Sequence, residues 1–370
     1  MRIVHVNTEP TWRGGESQVF NLMHGLRRLG HDVEAIALPG GALAQRCSEA
    51  GLPVVELRMR SDADLPAAMR IASYLRRAPC DVLHAQTSRA HSIALLARTI
   101  GARAKLVVSR RLDFPIARNP ANLWKYRNPR VDGYIAVAGV IRDILVDAGV
   151  EPARVTVINS SIDLKRFDDA EDHGGAVRAE LGIPRDAPLV GNVAALAWHK
   201  GQKDLIAAMP HLLRVLPAAW LAIVGGGEER QALEALASRL GVAGRIVFTG
   251  ARADVPRLLT AFDAFCMSSH REGLCNSVLE AFASRVPVVA TRAGGLPEIV
   301  TNEVTGLLVS PRDPPHLAEA LARVLTDPAL AARLAEGGHR LVRERFGVER
   351  MVQATEAYYE TLARARAAAS

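Results

Sequence analysis

Short apolar runs alternate with amphipathic stretches along the whole chain. The first run, residues 3–7, leads into a glycine-rich turn and then into an apolar stripe at helical spacing. The stripe consists of Val19, Leu22, Met23, Leu26 and Leu29, and Gly30 follows it as a helix stop. The repeated strand–helix order predicts parallel sheets that are covered by helices on both faces.

The predicted strands fall into two series. The first series covers residues 3–7, 33–38, 54–57, 82–84, 106–109 and 133–137, and the second covers 189–192, 220–224, 245–249, 264–267, 288–290 and 306–309. Between them, the segment 159–186 holds a turn and an Asp/Glu/Gly-rich run at 168–175, so we expect the domain boundary there. We predict an α/β protein of two Rossmann-like, doubly wound domains, residues 1–165 and 166–347, that face each other across a cleft, because ligands bind at the carboxyl ends of such sheets.

Composition and charge narrow the class of protein. A chain of 370 residues with 49% apolar and 23% charged residues suits two globular domains and excludes a disordered, fibrous or polytopic membrane protein. The four cysteines are scattered without a C-x-x-C pair, which predicts reduced thiols in a cytoplasmic protein. Residues 1–162 carry 22 Lys and Arg against 14 Asp and Glu, a balance of +8, whereas the remaining residues carry 24 against 25, a balance of −1. The first half is therefore expected to face an anionic partner, unless the excess reflects only a general preference for arginine.

One segment of the second half combines a predicted strand end, a polar loop and a helix start. The loop at 268–271 precedes Glu272, a helix is predicted to begin near Leu274, and Glu280 follows about two turns later. Unpaired amides at a helix N-terminus bind phosphate, and Glu280 is long enough to reach a ribose or sugar hydroxyl. The alternative is that Glu272 is only an acid favoured by the helix dipole and Glu280 a solvated helix residue.

A loop of the same kind precedes this segment in the chain. Lys200 follows the predicted strand 189–192 and stands just before a helix, where a lysine is a reasonable phosphate ligand. Glycine turns at 225–227 and 294–295, together with the strand end that leads to Arg252, complete a row of loops at one sheet edge.

The order of these segments resembles the retaining GT-B glycosyltransferases of family 4. Most of residues 189–330 is covered by its motifs: K-G, V-G-G-G-x-E, F-T-G-x-R-x-D-V, R-E-G with a second glutamate eight residues after the first, P-V-V-A-T-x-x-G-G-x-P-E and N-x-x-T-G-L-L-V. In the first half, W-R-G-G-E at 12–16 is similar to the family's first glycine-rich loop. The resemblance implies a nucleotide-sugar donor bound by the second domain, an acceptor bound mainly by the first, and a last helix, about 348–370, that crosses back onto the first domain.

The resemblance also assigns individual residues of the donor site. It implies that Glu280 binds the nucleotide ribose, that Glu272 contacts hydroxyls of the donor sugar and that Lys200 neutralises the diphosphate. The remaining donor contacts are implied for the backbone of Leu274, Cys275 and Asn276, the loop at Arg252, and Gly14 and Gly15, which lack a Cβ that would hinder the β-phosphate. Positively polarised groups stabilise a leaving diphosphate, and the resemblance implies neither a metal nor another cofactor.

One position of the second half departs from the family pattern. The family usually has an arginine five residues before the lysine, and Ala195 stands there in this chain. The candidates to replace that arginine are Arg13, His199, Arg271 and Arg292.

A second departure concerns a histidine pair, H-x-H, at a strand end of the first domain. His84 takes the first position and Gln86 the second, and the nearest other imidazole is His91 in the following helix. His84 and His91 are therefore the candidate catalytic imidazoles, with a structural role as the alternative for each, and Gln86 is a candidate acceptor contact.

Basic residues follow another strand end of the first half. Arg110 and Arg111 come after the strand 106–109 and are candidates to bind a phosphate or carboxylate of the acceptor, with a solvated loop as the alternative. The stretch 110–130 also carries Trp124 and Tyr126 among basic residues, which suits either contact with anionic lipid or a mobile lid.

These observations predict a cytoplasmic, metal-independent glycosyltransferase that moves a sugar from a nucleotide diphosphate-sugar to an acceptor hydroxyl; the resemblance alone implies retention. The basic first half favours a bacterial envelope glycan or glycolipid acceptor, as in lipopolysaccharide or polysaccharide biosynthesis, and a peripheral contact with the inner face of the cell membrane. The alternatives are a nucleotide-sugar epimerase or hydrolase on the same fold and a non-catalytic nucleotide-sugar-binding protein, for which the departures at Ala195 and Gln86 argue. No nucleic-acid-binding motif accompanies the charge, so no nucleic acid partner is expected.

Overall fold

The chain divides into two compact α/β units. In a computed structural model that describes residues 1–168 and 173–367, the first unit is Met1–Ser161 together with the C-terminal helix from Val348, and the second is Ile162–Gly347. The sequence placed the boundary between residues 165 and 166, four residues from this division.

The first unit contains a seven-stranded parallel sheet in the order β3-β2-β1-β4-β5-β6-β7. Its strands are β1 (Arg2–Val6), β2 (Asp32–Ala37), β3 (Val54–Glu56), β4 (Val82–Ala85), β5 (Lys105–Arg110), β6 (Gly133–Ala136) and β7 (Val155–Val157). Six of them were predicted, and the sequence missed the three-residue edge strand β7.

Six helices alternate with these strands. They are α1 (Gly14–Arg28), α2 (Ala42–Glu49), α3 (Leu65–Arg77), α4 (Ser88–Thr99), α5 (Pro120–Arg127) and α6 (Gly139–Asp147). The predicted stripe of α1 is buried except for Leu29, which caps the helix and is largely exposed, because Gly30 turns the chain with a φ of 86°.

The second unit contains a six-stranded parallel sheet in the order β10-β9-β8-β11-β12-β13. All six predicted strands are present, as β8 (Leu189–Val193), β9 (Trp220–Val224), β10 (Ile246–Gly250), β11 (Ala264–Met267), β12 (Val288–Thr291) and β13 (Leu307–Val309). The predicted fold class, two Rossmann-like doubly wound domains, is therefore confirmed.

The described residues of the second unit, 162–168 and 173–347, form nine α-helices. They are α7 (Lys165–Asp168), α8 (Gly174–Glu180), α9 (Gln202–Val215), α10 (Arg230–Arg239), α11 (Val255–Leu259), α12 (Asn276–Ala283), α13 (Leu296–Ile299), α14 (Pro314–Thr326) and α15 (Pro328–Arg345). The predicted boundary segment thus holds two helices, α7 and α8. Within the Asp/Glu/Gly-rich run, residues 169–172 lie outside the described residues.

The C-terminal helix α16 (Val348–Ala367) completes the core of the first unit. Its Met351, Val352 and Tyr359 are buried in the cluster that also contains Val19 and Met23 of α1. Gly25 makes the close approach possible, because a Cβ at this position would overlap the side chain of Val352.

Each sheet has a switch point, where the strand order reverses direction. It lies between β1 and β4 in the first sheet and between β8 and β11 in the second. Ligands of doubly wound sheets bind at such points, beyond the carboxyl ends of the strands. The sequence predicted chemistry in the loops after these four strands, as well as in loops after β5, β9, β10 and β12.

Candidate functional site

Two of the predicted catalytic residues meet at the switch point of the second sheet. Lys200 lies in the Lys200 loop (residues 194–201) after β8, and Glu272 lies in the Glu272 loop (residues 268–275) after β11. Lys200 Nζ is 2.6 Å from Glu272 Oε2, and the Ser269 hydroxyl donates to the same oxygen at 3.1 Å. Because both charged groups are largely buried, their attraction is poorly screened.

Backbone and side-chain bonds tie the two loops together. The His270 amide donates to the His199 carbonyl at 2.8 Å, and the Ser268 hydroxyl donates to the Lys200 carbonyl at 3.3 Å. His270 Nε2 also lies 2.6 Å from Asp204 Oδ2 at the start of α9. The Lys200–Glu272 pair therefore sits on a braced pair of loops.

Gly201 lies where the Lys200 loop closely approaches the Glu272 loop, and its replacement tests whether the packing of the two loops contributes to stability. Its φ is 67°, and a Cβ there would overlap the Ser268 carbonyl oxygen. We expect Gly201→Ala to lower the free energy of unfolding by at least about 2 kcal/mol, because strain and overlap add. Chemical denaturation measures this loss. Gly226→Ala is the control, since its Cβ would meet only Ala251 Cβ at 4.0 Å; equal losses in both variants would contradict the prediction.

The predicted donor-binding helix starts two residues later than expected. Cys275 is the N-cap of α12 and Asn276 its first residue, whereas the sequence placed the start near Leu274. Leu274 and Cys275 are buried, and burial raises the pKa of the Cys275 thiol to about 12, so it is not a reactive thiolate at neutral pH. Leu274, Cys275 and Asn276 thus lie at the N-terminal end of α12, two to four residues after Glu272.

Glu280 is partly buried on α12, not the solvated residue of the alternative interpretation. Burial raises the pKa of Glu280 to about 7, and the positive charge of Arg166 partly opposes this rise. Burial thus disfavours the charged form of its carboxyl group, which has no direct ionic partner among residues 1–168 and 173–367. A carboxyl group kept in this state is a common feature of binding sites.

Arg252 follows β10, but its side chain is already engaged. The guanidinium donates to Asp254 at 2.8 and 2.7 Å and to Glu180 at 2.6 Å. The implied contact of this loop with the base stays a prediction, and the arrangement favours the backbone over the guanidinium as the contacting group.

The segment around Ala195 packs against the glycine turn after β9. The Ala195 carbonyl accepts from Gln202 Nε2 at 3.0 Å, and a Cβ at Gly225 or Gly227 would overlap carbonyl oxygens of the Lys200 loop. Of the candidates to replace the missing arginine, His199 and Arg271 lie in the two braced loops, and the Arg271 amide donates to the His199 carbonyl at 3.3 Å.

In the first unit, three predicted residues meet at the ends of β4 and β5. Arg111 Nη1 donates to the Gln86 backbone carbonyl at 2.6 Å, and Nη2 donates to Gln86 Oε1 at 2.5 Å. Gln86 Nε2 in turn contacts His84 Nδ1 at 3.0 Å and His5 Nδ1 at 2.8 Å. Burial lowers the pKa of Arg111 to about 10, so the guanidinium remains charged.

The two candidate imidazoles do not occupy positions that suit direct contact with a substrate. His84 is 1% exposed, and its nitrogens are bound to the Tyr359 hydroxyl at 2.5 Å and the Ser109 hydroxyl at 2.8 Å. His91 is also 1% exposed and packs its ring edge-on to Tyr126 and Tyr134. Burial holds the pKa of both imidazoles well below the ordinary value, so both are neutral.

The predicted arginine pair separates, because neighbouring residues at a strand end point in different directions. Arg110, the last residue of β5, donates to the Tyr126 hydroxyl at 2.9 Å and to the Phe114 carbonyl. Arg111 instead turns towards Gln86. The two guanidinium groups therefore cannot form one bidentate clamp in this arrangement, and Arg111 is the better placed of the two at the switch point.

Gly14 and Gly15 are the first residues of α1. Neither has a positive φ, and a Cβ on Gly15 would meet only Arg111 Cδ at 3.8 Å. The fold itself therefore does not demand glycine at position 15, and a close ligand remains the predicted reason for it.

Sequence reasoning missed four residues of this polar cluster: His5, Glu16, Ser109 and Tyr359. Burial raises the pKa of Glu16, while its hydrogen bond from Asn7 Nδ2 at 3.1 Å and the charge of Arg111 oppose the rise. An acid in the first turn of a helix is common, so only its position after two glycines could have singled out Glu16. Tyr359 gave no local signal, because it is 275 residues from His84.

Two further properties of the described residues bear on the site. Among residues 1–168 and 173–367, no group of three His, Cys, Asp or Glu side chains is arranged to hold a metal ion. In the same part of the chain, every helix is too short or too polar to cross a lipid bilayer.

Comparison with known proteins gives consistent matches over both units. The model of the Glycosyl transferases group 1 matches residues 175–341, and that of Glycosyltransferase Family 4 matches residues 12–166. The lipopolysaccharide core biosynthesis glycosyltransferase LpsE of Rhizobium meliloti is 31% identical over 353 residues, which cover 95% of this chain and 96% of the relative. The lipopolysaccharide core biosynthesis mannosyltransferase LpsB of that species is 33% identical over 297 residues, or 77% and 81% of the two chains.

A solved structure matches the fold over nearly the full length. The crystal structure of Anabaena HepE in complex with UDP and glucose has a TM-score of 0.87 and 23% sequence identity, and the match covers 98% of this chain and 100% of that one.

Proposed function

The chain belongs to the group 1 glycosyltransferases of family 4, and we propose that it transfers a sugar from a nucleoside diphosphate-sugar to a hydroxyl of a glycan or glycolipid, with retention and without a metal. The observation that carries the proposal is the Lys200–Glu272 ion pair at the switch point of the second sheet. It places a cation for a diphosphate and a carboxylate for sugar hydroxyls in adjacent loops.

Donor binding exchanges the partners of this pair. The diphosphate takes the Lys200 ammonium from Glu272, and the freed carboxylate accepts hydrogen bonds from sugar hydroxyls. The amides at the start of α12 add further positive potential for the diphosphate. Glu280, four residues into α12 from Asn276, is the proposed acceptor for ribose hydroxyls, which suit a carboxylate that is desolvated and has no ionic partner in the described part of the chain.

In the transfer step, the bond from the anomeric carbon to the diphosphate oxygen breaks and a bond to the acceptor oxygen forms. The acceptor proton passes to the departing phosphate, so that no side chain has to act as base. Negative charge grows on the diphosphate as it leaves, and Lys200 with the α12 amides stabilises it in a site with little water. Lysine and helix amides in this role would make a divalent ion unnecessary.

The acceptor half of the proposal rests on the first unit. We assign Arg111 to an anionic group of the acceptor, a phosphate or a carboxylate, because it is charged, partly exposed and located at the switch point. The excess of basic residues in this half favours an acidic envelope glycan or glycolipid.

The test is product analysis with a panel of UDP-, GDP-, ADP-, TDP- and CMP-sugars and purified lipopolysaccharide core acceptors. We expect one donor family to give a glycoside, detected by mass spectrometry, with the donor's anomeric configuration by NMR and an unchanged rate in EDTA. Free sugar or an epimer as the only product would indicate a hydrolase or an epimerase. Tight nucleotide binding with no product would favour a non-catalytic binding protein.

A peripheral membrane contact is a further part of the proposal. Leu112 is 60% exposed and Trp124 49% exposed, in a stretch that also carries Arg118, Arg127 and Arg130 on its surface. Exposed apolar side chains among basic residues suit the surface of an anionic bilayer.

We expect the double variant Leu112→Ser, Trp124→Ser to lose most of its binding to vesicles of 30% phosphatidylglycerol in a flotation assay, by about 10-fold or more. The control is Val215→Ser, which removes a side chain that is 63% exposed in the second unit. Equal binding by the double variant and the control, or no binding by the wild type, would contradict the membrane contact.

A further inference from the structure

Gln86 occupies the centre of the polar cluster in the first unit. It follows β4, is 3% exposed, and its own amide donates to the Val6 carbonyl at 2.9 Å. Its backbone carbonyl and side-chain oxygen both accept from Arg111, and its side-chain nitrogen faces His5 and His84. An amide with all of these contacts has no free polar atom for a substrate.

The orientation of the Gln86 amide follows from Arg111. A guanidinium can only donate hydrogen bonds, so the amide oxygen must face Arg111 and the amide nitrogen must face the two imidazoles. An amide nitrogen can also only donate. The Nδ1 atoms of His5 and His84 must therefore both accept.

This fixes the proton positions on both rings. Burial lowers the pKa of His5 to about 3 and that of His84 well below its ordinary value, so both rings are neutral and carry their one proton on Nε2. The His84 Nε2–H then donates to the Ser109 hydroxyl at 2.8 Å, and the one lone pair of His84 Nδ1 is shared by two donors, the Gln86 amide at 3.0 Å and the Tyr359 hydroxyl at 2.5 Å. The hydrogen bonds from Arg111 to Gln86, from Gln86 to His84 and from His84 to Ser109 thus all have the same donor-to-acceptor direction.

Arg111 keeps donors for a ligand. Its two bonds to Gln86 use two of the five N–H groups, and Nε is buried with no hydrogen-bond partner among the described residues. Gly15, in the first turn of α1, lies against its side chain, and Glu16 is the carboxyl group that interacts with its charge. The Arg111 Nε–H is therefore a buried donor that lacks a partner among the described residues.

We propose that Gln86 is a positioning residue: it holds the Arg111 guanidinium for an anionic group of the acceptor and locks His5 and His84 in the Nε2–H tautomer. The inference rests on the proposed function for the identity of the ligand, but not for the geometry of the cluster. In the family a second histidine stands at this position. In this chain we assign the residue there, Gln86, to the support of Arg111 and not to contact with the substrate.

The first experiment reads the tautomers in the wild-type protein by long-range ¹H–¹⁵N NMR at pH 7. We expect the Nε2–H form for His5 and His84. A proton on Nδ1 of either ring would overturn the inference. In Gln86→Glu we expect the opposite tautomer, with the proton on Nδ1 of both rings, because a carboxylate can only accept hydrogen bonds. Unchanged tautomers in a folded Gln86→Glu variant would also overturn it.

The second experiment measures binding of the anion by the same protein. Inorganic phosphate and acetate are titrated separately while the Arg111 Nε–H signal is followed, so that phosphate and carboxylate ligands are distinguished. We expect saturable binding of one of them and a loss of about 10-fold or more in Gln86→Met, where the guanidinium is no longer held. No binding of either anion, or equal binding by Gln86→Met, would overturn the proposed positioning.

Gln18→Met provides the matched control for the loss of a buried glutamine. Gln18 lies in α1 and bonds the backbone of Ser161 at 2.5 and 2.8 Å, outside the Arg111 cluster. This variant should lose stability but keep both tautomers and its affinity for the anion. A loss of affinity equal to that of Gln86→Met would mean that lost stability alone explains the Gln86→Met result, and it would overturn the proposed positioning. Failure of the wild type to form any glycoside would refute the proposed function while leaving these NMR results intact.

Discussion

Replacing Lys200 by alanine is expected to lower the rate of sugar transfer by about 100- to 1000-fold, the usual effect of losing one group that stabilises a leaving anion in a water-poor site. In the free protein, Lys200 Nζ contacts Glu272 at 2.6 Å, so the substitution also removes the ionic partner of a largely buried carboxylate that accepts from the Ser269 hydroxyl. The main loss should appear in kcat, because the charge on the diphosphate grows as it leaves. Steady-state kinetics with a saturating acceptor separates kcat from KM.

Lys203→Ala is the control for this measurement. Lys203 lies three residues further on in α9 and pairs with Glu229 at 2.7 Å, but its side chain is half exposed. Both variants remove one lysine ion pair from the same helix end, yet only the first removes the charge at the switch point. A kcat for Lys200→Ala that matches that of Lys203→Ala would refute the assignment of Lys200 to the diphosphate.

Glu280→Gln is expected to weaken nucleotide binding and to stabilise the free protein. A charged hydrogen bond to ribose contributes about 1.5–3 kcal/mol, so the affinity for the nucleoside diphosphate should fall by about 10-fold or more. Isothermal titration calorimetry measures this loss. The gain in stability has a separate cause, the burial that raises the pKa of Glu280 to about 7.

The sign of the stability effect depends on pH. An ordinary glutamate titrates near pH 4.3, so between about pH 4.3 and 7 the folded protein binds the Glu280 proton more tightly than the unfolded chain does. The stability that this proton confers is present below about pH 4.3 and is lost as the pH rises through 7. Glutamine stays neutral, so the free energy of unfolding of the variant should rise relative to that of the wild type by about 2 kcal/mol between pH 5.5 and pH 8.5.

Denaturant titration at pH 5.5, 7 and 8.5 follows this gain. The control is Glu319→Gln, which changes an exposed glutamate on α14 and should show no such trend. A Glu280→Gln variant that is less stable than the wild type at pH 8.5 would mean that the carboxylate is well solvated in the free protein. Undiminished nucleotide affinity would remove Glu280 from the proposed ribose site.

The sequence predicts those parts of the site that depend on the order of strands. Lys200 and Glu272 are 72 residues apart, yet each follows a strand that flanks the switch point, so the topology alone brings their loops together. The start of α12 is less predictable, because Cys275 does not have the side chain of a usual N-cap and the turn before it contains glycine. That error is only two residues, since the apolar spacing of the helix is clear.

The cluster in the first unit could not be derived in the same way. Whether Arg110 or Arg111 turns towards Gln86 depends on how the chain leaves β5, and the linear pattern carries no information on this direction. The burial of His91 depends on two tyrosines from later elements, Tyr126 and Tyr134. A residue type at a strand end therefore predicts a location at the sheet edge, but the partner of its side chain comes from packing.

The core of the first unit is completed by α16, which follows the whole second unit in the chain, and this has a consequence for synthesis on the ribosome. Its core includes Met351, Val352 and Tyr359 of α16, while the whole second unit is translated between residue 161 and that helix. When residue 161 emerges, the groove beside Gly25 and the apolar residues of α1 have no cover. The second unit, which is continuous in the chain, can complete its core first, and the first unit must wait until α16 has been translated. Until then it presents unfilled apolar surface, the kind that chaperones bind.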